Sequence, residues 1–509
     1  MTEIQNSKHS MKFFLALFSI YAAIYSIPVY ADNHIKLGSP PPLPSPIKGE
    51  GDKNADDYIQ LQGVIHVHSN FSTGRHSIEE LAKIAIDKGI EVLIITDHDL
   101  ITKEYGPSPF RHIFRWKEKL PSVLDTGVGK YLQEIKDIDK RYPQLIVIPG
   151  VESSPFYYWT GNPLKKDLTA HNWKKHILII GLRQPEDYAN LPILHNKITD
   201  RYFKKLIWQE VPFFIPLLLS IFLIRWKGGY RVFGILTLCI SILAVINYHP
   251  FKSSLYDQYH GDQGTGPYQE LIDYAALHGG MTFWAHPESH RNTERYGPII
   301  MKTPVYVNDL LNTTNYTGME AVYEDTIHMT DNGREWDRML IEYCNGKRKR
   351  PVWGIGGIDF HGEEGAGKGL DNVLTIFLVK KKNNISILDS LRNGKTYSLR
   401  RFREERLSLD DFSVSDSVTQ NRGMTGDKIV SRGSPIVNIK ISSSGDIDKV
   451  NIELIRSGRL LKIFTGKTPF NIEFKDDYYN PGEKIYYRLN IRGKNLGYII
   501  SNPVFVKFT

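Results

Sequence analysis

The sequence predicts an α/β fold that is interrupted by a pair of apolar helices and followed by a smaller β-rich region. Three observations lead there: a β-α-β pattern early in the folded part, apolar runs at 211–224 and 232–248, and alternating segments after about residue 400.

The β-α-β pattern comes first. Val64–Val67 alternates like a strand, Ser77–Lys88 has helical spacing behind a capping box of Ser77 and Glu80, and Glu91–Thr96 reads as a buried strand. Strand-like apolar runs recur at Leu145–Ile148, His176–Ile180, Met281–Ala285 and Val352–Ile355, each beside a polar or charged cluster. Units of this kind build parallel sheets and α/β barrels, and in barrels residues at several strand ends converge on one site. The tail differs in period. Val437–Ile441, Lys449–Ile455 and Lys484–Ile491 alternate between turn residues, which predicts a small β-sandwich of immunoglobulin-like size over 401–509.

Lys8 and Lys12 precede the apolar stretch Phe13–Tyr30, so 1–31 reads as an export signal peptide or as an uncleaved amino-terminal anchor. Either one sends the following chain out of the cytoplasm. Residues 32–58 are rich in Pro, Gly and Lys without apolar periodicity, as expected of a linker. The two later runs read as a transmembrane helical hairpin over 206–248, with a buried helix pair in a soluble core as the alternative. Arg225, Lys227 and Arg231 lie in the connecting loop, which the positive-inside rule places in the cytoplasm. The segments 59–205 and 249–400 then share the outer side as two parts of one α/β domain, giving a membrane-anchored protein with an extracytoplasmic site.

Composition narrows the chemistry. The 509 residues carry 64 Lys and Arg against 56 Asp and Glu, a formal charge of +8 that is spread along the chain. That distribution suits solubility and attraction to a membrane surface more than nucleic-acid binding. The one basic run, Lys347-Arg348-Lys349-Arg350, reads as a solvated loop before a strand. Only Cys239 and Cys344 occur, which excludes a disulfide framework or a cysteine zinc cluster. Metal ligands must come from the 17 His and the carboxylates.

Several of those residues fall in six clusters. His66-Val67-His68 puts two imidazoles on one face of a strand, and Thr96-Asp97-His98-Asp99 follows the next strand. Glu152 follows a third strand, His176 opens a fourth, His286 follows a fifth, and Asp359-Phe360-His361 lies after a sixth. Each has an ordinary alternative taken singly: an exposed histidine pair, a helix cap at Asp97 or Asp99, a surface ion pair at Glu152, a hydrogen-bonded core histidine at His176. Together they supply hard oxygen and imidazole donors at successive strand ends, which points to a multi-metal centre.

In these runs the chain resembles the PHP family, named for polymerase and histidinol phosphatase, with its H-x-H, T-D-H, strand-end Glu, later His and closing D-x-H. The resemblance covers roughly 59–400; Leu391–Tyr397 also looks like the end of PHP domains, and the tail is similar to that of exported members. It implies a distorted (β/α)7 PHP barrel holding two or three divalent ions, Zn, Mn or Fe. Carried over residue by residue, it implies a first metal on His66, His68, Glu152 and Asp359, with Glu152 bridging to a second on His176 and His286. His98 and His361 would serve a third, although Thr73 stands where the family has Asp or His, with His76 as a candidate to compensate. Asp97 is a candidate catalytic residue acting from behind the ligands.

The expected activity is metal-dependent hydrolysis, with a metal-bound hydroxide at a di- or trinuclear site attacking a phosphoester. An ester or amide hydrolase of carbamate type on the same site is the alternative within the fold, and a non-catalytic, metal-stabilised membrane sensor or scaffold is the alternative outside enzymes. The expected partners are a small-molecule or phosphoester substrate and the membrane; the sequence names no protein partner for the β-rich tail.

Overall fold

The computed structural model describes residues 58–289, 293–323, 325, 327–363, 369–401, 406–444, 449–493 and 497–509. The expected signal or anchor and nearly all of the 32–58 linker lie outside them.

The first strand, β1 (Ile59–Val67), leads through the helix Ile78–Asp87 to β2 (Val92–Ile95), which lies parallel to it. The capping box is formed: Glu80 N–H donates to Ser77 Oγ at 3.3 Å and Ser77 N–H donates to Glu80 Oε2 at 2.8 Å. After the helix Val128–Arg141, β3 (Ile146–Ser153) pairs parallel to β2. The next strand breaks the pattern, because β4 (Ile177–Ile180) runs antiparallel to β3, with Ser153 opposite Ile177. β5 (Met281–Trp284) is antiparallel to β4; β6 (Gly318–Val322) and β7 (Trp353–Gly356) then continue parallel to β5.

Beyond β7 the chain meets β1 again. Ile358 N–H donates to the Ile65 carbonyl, Phe360 N–H to the His66 carbonyl and His68 N–H to the Phe360 carbonyl, at 2.9–3.1 Å. The amino-terminal half of β1 pairs instead with β8 (Val373–Val379), followed by β9 (Thr396–Arg400). Alternation sorts the side chains of β1–β7 into two cores. Ile65, Ile94, Ile148, Leu178, Phe283 and Ile355 belong to one cluster, while Val64, Leu93, Val147, Ile179 and Met319 belong to a second that includes Leu81 and Ile135 of the covering helices.

The β-rich tail is not a separate body. Tyr498–Ser501 pairs antiparallel with β9, so the large sheet runs on into Lys484–Arg492, Val450–Arg456 and Arg459–Gly466. A second sheet of four strands, built on Leu407–Asp416 and Pro435–Ser443, completes the tail. The expected alternation holds on Pro435–Ser443, but Lys484–Arg492 is buried on both faces along most of its length. One face lies against the helix Glu335–Cys344, where Arg488 Nε and Nη2 each lie 2.7 Å from the Asp337 carboxylate with both side chains fully buried. Tyr486 OH also donates to Asp337 at 2.7 Å.

The apolar runs form the helices Val211–Leu223 and Gly229–Tyr248, packed together, with the rings of Phe213 and Tyr248 stacked at 5.0 Å. Close approach depends on Gly234, where a Cβ would fall 2.8 Å from Ile224 N. Gly229–Tyr248 is, among the described residues, the one helix long and apolar enough to cross a membrane by itself. Phe203–Gln209 and Val211–Leu223, bent by 51°, satisfy the same criterion only when taken together. Outward-facing apolar residues such as Ile215, Leu218, Val232 and Ile246 are exposed.

Candidate metal centre

The eight ligand candidates meet at one end of β1–β7. His66 lies in β1 and His68 just beyond it, His98 follows β2, Glu152 lies near the end of β3, and His286, Asp359 and His361 follow β5 and β7. His176 precedes its strand, yet it reaches the same end because β4 runs antiparallel. The reversal thus places a residue at the start of a strand where its neighbours place residues at their ends.

Glu152 is the hub. Oε1 lies 3.0 Å from His66 Nε2, 2.7 Å from His176 Nδ1 and 3.3 Å from His286 Nε2. Oε2 lies 3.3 Å from His68 Nε2 and 3.2 Å from His98 Nδ1. Asp359 Oδ1 stands 3.2 Å and 3.4 Å from Nε2 of His66 and His68. Three sets have donor atoms close enough to share an ion: His66, His68, Glu152 and Asp359; His98, Glu152 and His176; and His68, His98 and His361. His98 belongs to two of these sets, where family resemblance implied only a third-metal role. The His68 and His361 rings stack at 4.2 Å.

The donor set fits divalent cations. The Nε2 atoms of His66 and His68 are buried and make no hydrogen bond, although carboxylate oxygens stand beside them. Separations of about 3 Å between donors are the edges expected around an ion with bonds of ~2.0–2.2 Å. Backbone strain collects here as well: His66, His286 and Asp359 have φ of 68°, 28° and 50°, a region costly for residues with a Cβ.

Burial weighs most on these groups, and against it the neighbouring carboxylates hold the imidazoles of His66 and His286 up and that of His68 up to about 9. Burial would raise the pKa of Glu152, but the imidazoles of His176, His66 and His98 hold it well below the carboxylate range. Asp359 is likewise held well down against its burial, by His66 and His361. Burial lowers His98 and His361, the latter to about 4, so both imidazoles are neutral and able to donate a lone pair at neutral pH.

Asp97 does not face the ligands' donor atoms. It accepts from Ser69 N–H at 2.8 Å, Ser69 Oγ at 2.6 Å and Ser72 Oγ at 2.5 Å, and Ser72 Oγ stands 3.4 Å from His68 Nδ1. Asp97 therefore positions the turn after β1 and reaches His68 through a serine. Thr73 is exposed, and His76 lies in none of the three sets, its ring stacked 6.3 Å from that of Phe360.

One residue of the centre escaped sequence reading. Glu320 in β6 is fully buried, and its Oε1 faces His66 Nδ1. Gly357 makes room for it, since a Cβ there would fall 1.8 Å from Glu320 Oε1. Tyr306 plays a similar part, with its OH 3.2 Å from His286 Nδ1. The basic run also reads differently in three dimensions. Arg348 is buried rather than solvated, bonded to Glu342 at 2.6 Å and to the carbonyls of Thr313, Leu310 and Leu311.

No curated protein matches the chain. Among solved structures, it is similar to a two-domain protein from Bacteroides vulgatus assigned by prediction to PHP-like metal-dependent phosphoesterases. The two share 13% identity over 88% of this chain and 96% of that one, at a TM-score of 0.35. A second, from Bifidobacterium adolescentis and assigned by inference to metal-dependent phosphoesterases, shares 14% identity over 65% of this chain and 95% of its own, at a TM-score of 0.28. At these TM-scores neither likeness bears on the chemistry. Residues 65–213 match the PHP domain family, a span that holds His66, His68, His98, Glu152 and His176 and ends within the first turn of the apolar helix Val211–Leu223.

Proposed function

We infer that the protein is a membrane-anchored, metal-dependent phosphoesterase with its site outside the cytoplasm. The observation that carries the chemistry is the buried Glu152 carboxylate within 3.3 Å of five imidazoles, a density of donors that no structural role requires. His66, His68, Glu152 and Asp359 would hold one divalent ion, Glu152, His176 and His286 a second, and His98 with His361 a third. Bound divalent cations supply Lewis acidity and an activated water to a phosphoester. The protein's own groups then do the positioning. Glu320 fixes the His66 ring through Nδ1, Tyr306 faces Nδ1 of His286, and Asp97 holds the turn that carries His68.

The hydrogen bonds from residues 358–360 to the end of β1 support closure of β1–β7 as a distorted (β/α)7 barrel. The exposed apolar surfaces of Val211–Leu223 and Gly229–Tyr248 support a membrane hairpin that interrupts it, and Arg225, Lys227 and Arg231 support a cytoplasmic loop. Elemental analysis of the full chain purified without chelators, combined with a panel of phosphomonoesters, phosphodiesters, esters and amides, tests this reading. Two or three metals per chain with phosphoester hydrolysis is the expected outcome. One metal or none contradicts it, and turnover confined to esters or amides moves the assignment to carbamate-type hydrolysis.

A further inference from the structure

The ligand-bearing end of the sheet is also the end at which the apolar hairpin is rooted. After β4 the chain returns toward that end, where Leu194 N–H donates to the Pro155 carbonyl and His195 Nε2 stands 2.9 Å from Tyr157 OH, just past the end of β3. The helix Val211–Leu223 follows. On the way back from the second helix, Trp159 N–H donates to the Gln258 carbonyl and Tyr268 OH to the Phe156 carbonyl.

A third attachment comes directly from a ligand. Between His98 and the helix that starts at Val123 the chain inserts a two-stranded ribbon, Ile101–Tyr105 paired with Trp116–Leu120. At its tip His112 N–H donates to Asn247 Oδ1 at 2.9 Å, at the end of the helix Gly229–Tyr248, and His112 Nε2 lies 2.9 Å from Asp257 Oδ2. His112 Nδ1 is 4.0 Å from Glu104, only six residues beyond His98. At ~3.3 Å per extended residue, that places the end of the apolar helix within about 30 Å of the metal centre. The ties are polar and centre on the buried Glu104 carboxylate, 2.7 Å from Arg115 and 3.6 Å from His195, so the hairpin is fixed to the domain.

The surface around this junction suits an anionic bilayer. Of the five Lys or Arg and two Glu in residues 101–120, Lys103 and Glu104 are buried, which leaves Arg111, Arg115, Lys117 and Lys119 at the surface beside Glu118. Phe114 and Trp116 at the ribbon tip are about half exposed, and Trp208, just before the first apolar helix, is 74 % exposed. Aromatic rings beside basic side chains at the end of an apolar helix are the chemistry of the headgroup layer.

Resting on the phosphoesterase and membrane reading above, we propose that the substrate is a phosphoester carried by a lipid of the same bilayer. In the reaction, water oxygen forms the new bond to phosphorus, the P–O bond to the alcohol breaks, and the water proton passes to the departing alkoxide oxygen. The hairpin holds the site at headgroup height, and the basic, aromatic ribbon draws the anionic headgroup toward it. Enzyme and substrate confined to one surface meet at an effective concentration that a dissolved ester does not reach.

The test uses the full chain, loaded with Mn(II), in phospholipid vesicles. Phosphatidic acid and phosphatidylglycerol in the bilayer are compared with their water-soluble headgroup counterparts, glycerol 3-phosphate and glycerophosphoglycerol. At least one lipid ester is expected to be hydrolysed at least ~10-fold faster than its soluble counterpart, a gain of the kind surface confinement gives. Trp116→Glu combined with Phe114→Glu is expected to remove most of that preference. Equal or faster hydrolysis of the soluble esters overturns the lipid assignment and leaves the phosphoesterase reading standing; hydrolysis of none of the four overturns both. A preference that survives the double substitution overturns the role given to the ribbon.

Discussion

Glu320 Oε1 lies 2.6 Å from Nδ1 of His66, and the same carboxylate accepts the backbone N–H of His286 through Oε2 at 2.6 Å. A single buried acid thus orients two ligand-bearing segments from behind. Such partners fix the tautomer of a ligating imidazole and raise its basicity. Glu320→Gln is expected to weaken metal binding by about 10–100-fold while the fold survives. Competition with a chelator, read beside far-UV circular dichroism, measures this; unchanged affinity would show that His66 needs no such partner.

On the proposed assignment Glu152 would serve two ions, so its replacement should disable the centre rather than trim it. Glu152→Gln is expected to lower phosphoester turnover at least ~100-fold, the low end of what activated water at a metal centre supplies. Full activity of this variant would require the centre to be reassigned around the remaining histidines.

The ion pair between Arg488 and Asp337 joins the tail to the helix Glu335–Cys344 without solvent access. Removing one partner strands a buried charge, at a cost of about 3–5 kcal/mol. Arg488→Met is expected to lower the thermal unfolding midpoint sharply, and Arg488→Met with Asp337→Leu should recover much of the loss. A double variant as unstable as the single one would show that geometry, not charge, is what the pair provides.

His195 is held down to about 3, by burial first and by Lys117, Arg115 and His112 next. In the unfolded chain an imidazole protonates near 6.5. Between those values the unfolded state binds the extra proton, so stability rises with pH, is fully present above about 6.5 and is lost as pH falls toward 3. His195→Gln removes this titration, and the dependence of the unfolding midpoint on pH should flatten between about pH 4 and 6. An unaltered slope would mean that other groups carry it.

A reporter inserted within Arg225–Arg231 should behave as cytoplasmic and one fused after Thr509 as exported, because the loop charges resist translocation. Cytoplasmic behaviour at both positions would place the metal centre on the inner side of the membrane.

The eight candidates were legible in the sequence because their residue types are rarely gathered at successive strand ends, and all of them but His286 fall in sets whose donor atoms are close enough to share an ion. Sequence reading missed Glu320 for a local reason. Gly318–Val322 contains a Gly, an Ala and a Glu, which depress strand propensity, and no histidine draws attention to it. The reversed direction of β4 was equally hidden, since four buried apolar residues look the same in either orientation. The burial of Arg348 and the joining of Tyr498–Ser501 to β9 depend on contacts between residues far apart in the chain, which no local pattern announces.

The pairing of β1 with β8 has a consequence for how the chain is made. The two strands are separated by more than half of its length, and both apolar helices lie between them. During synthesis from the amino terminus, Ile59–Val67 must therefore wait with one edge open until Val373–Val379 arrives. Open strand edges invite pairing with other chains, and pairings this distant form slowly. The first half of the molecule is thus the part that most needs protection while the second half is still emerging, and a chaperone that shields strand edges should matter most to its yield in that interval.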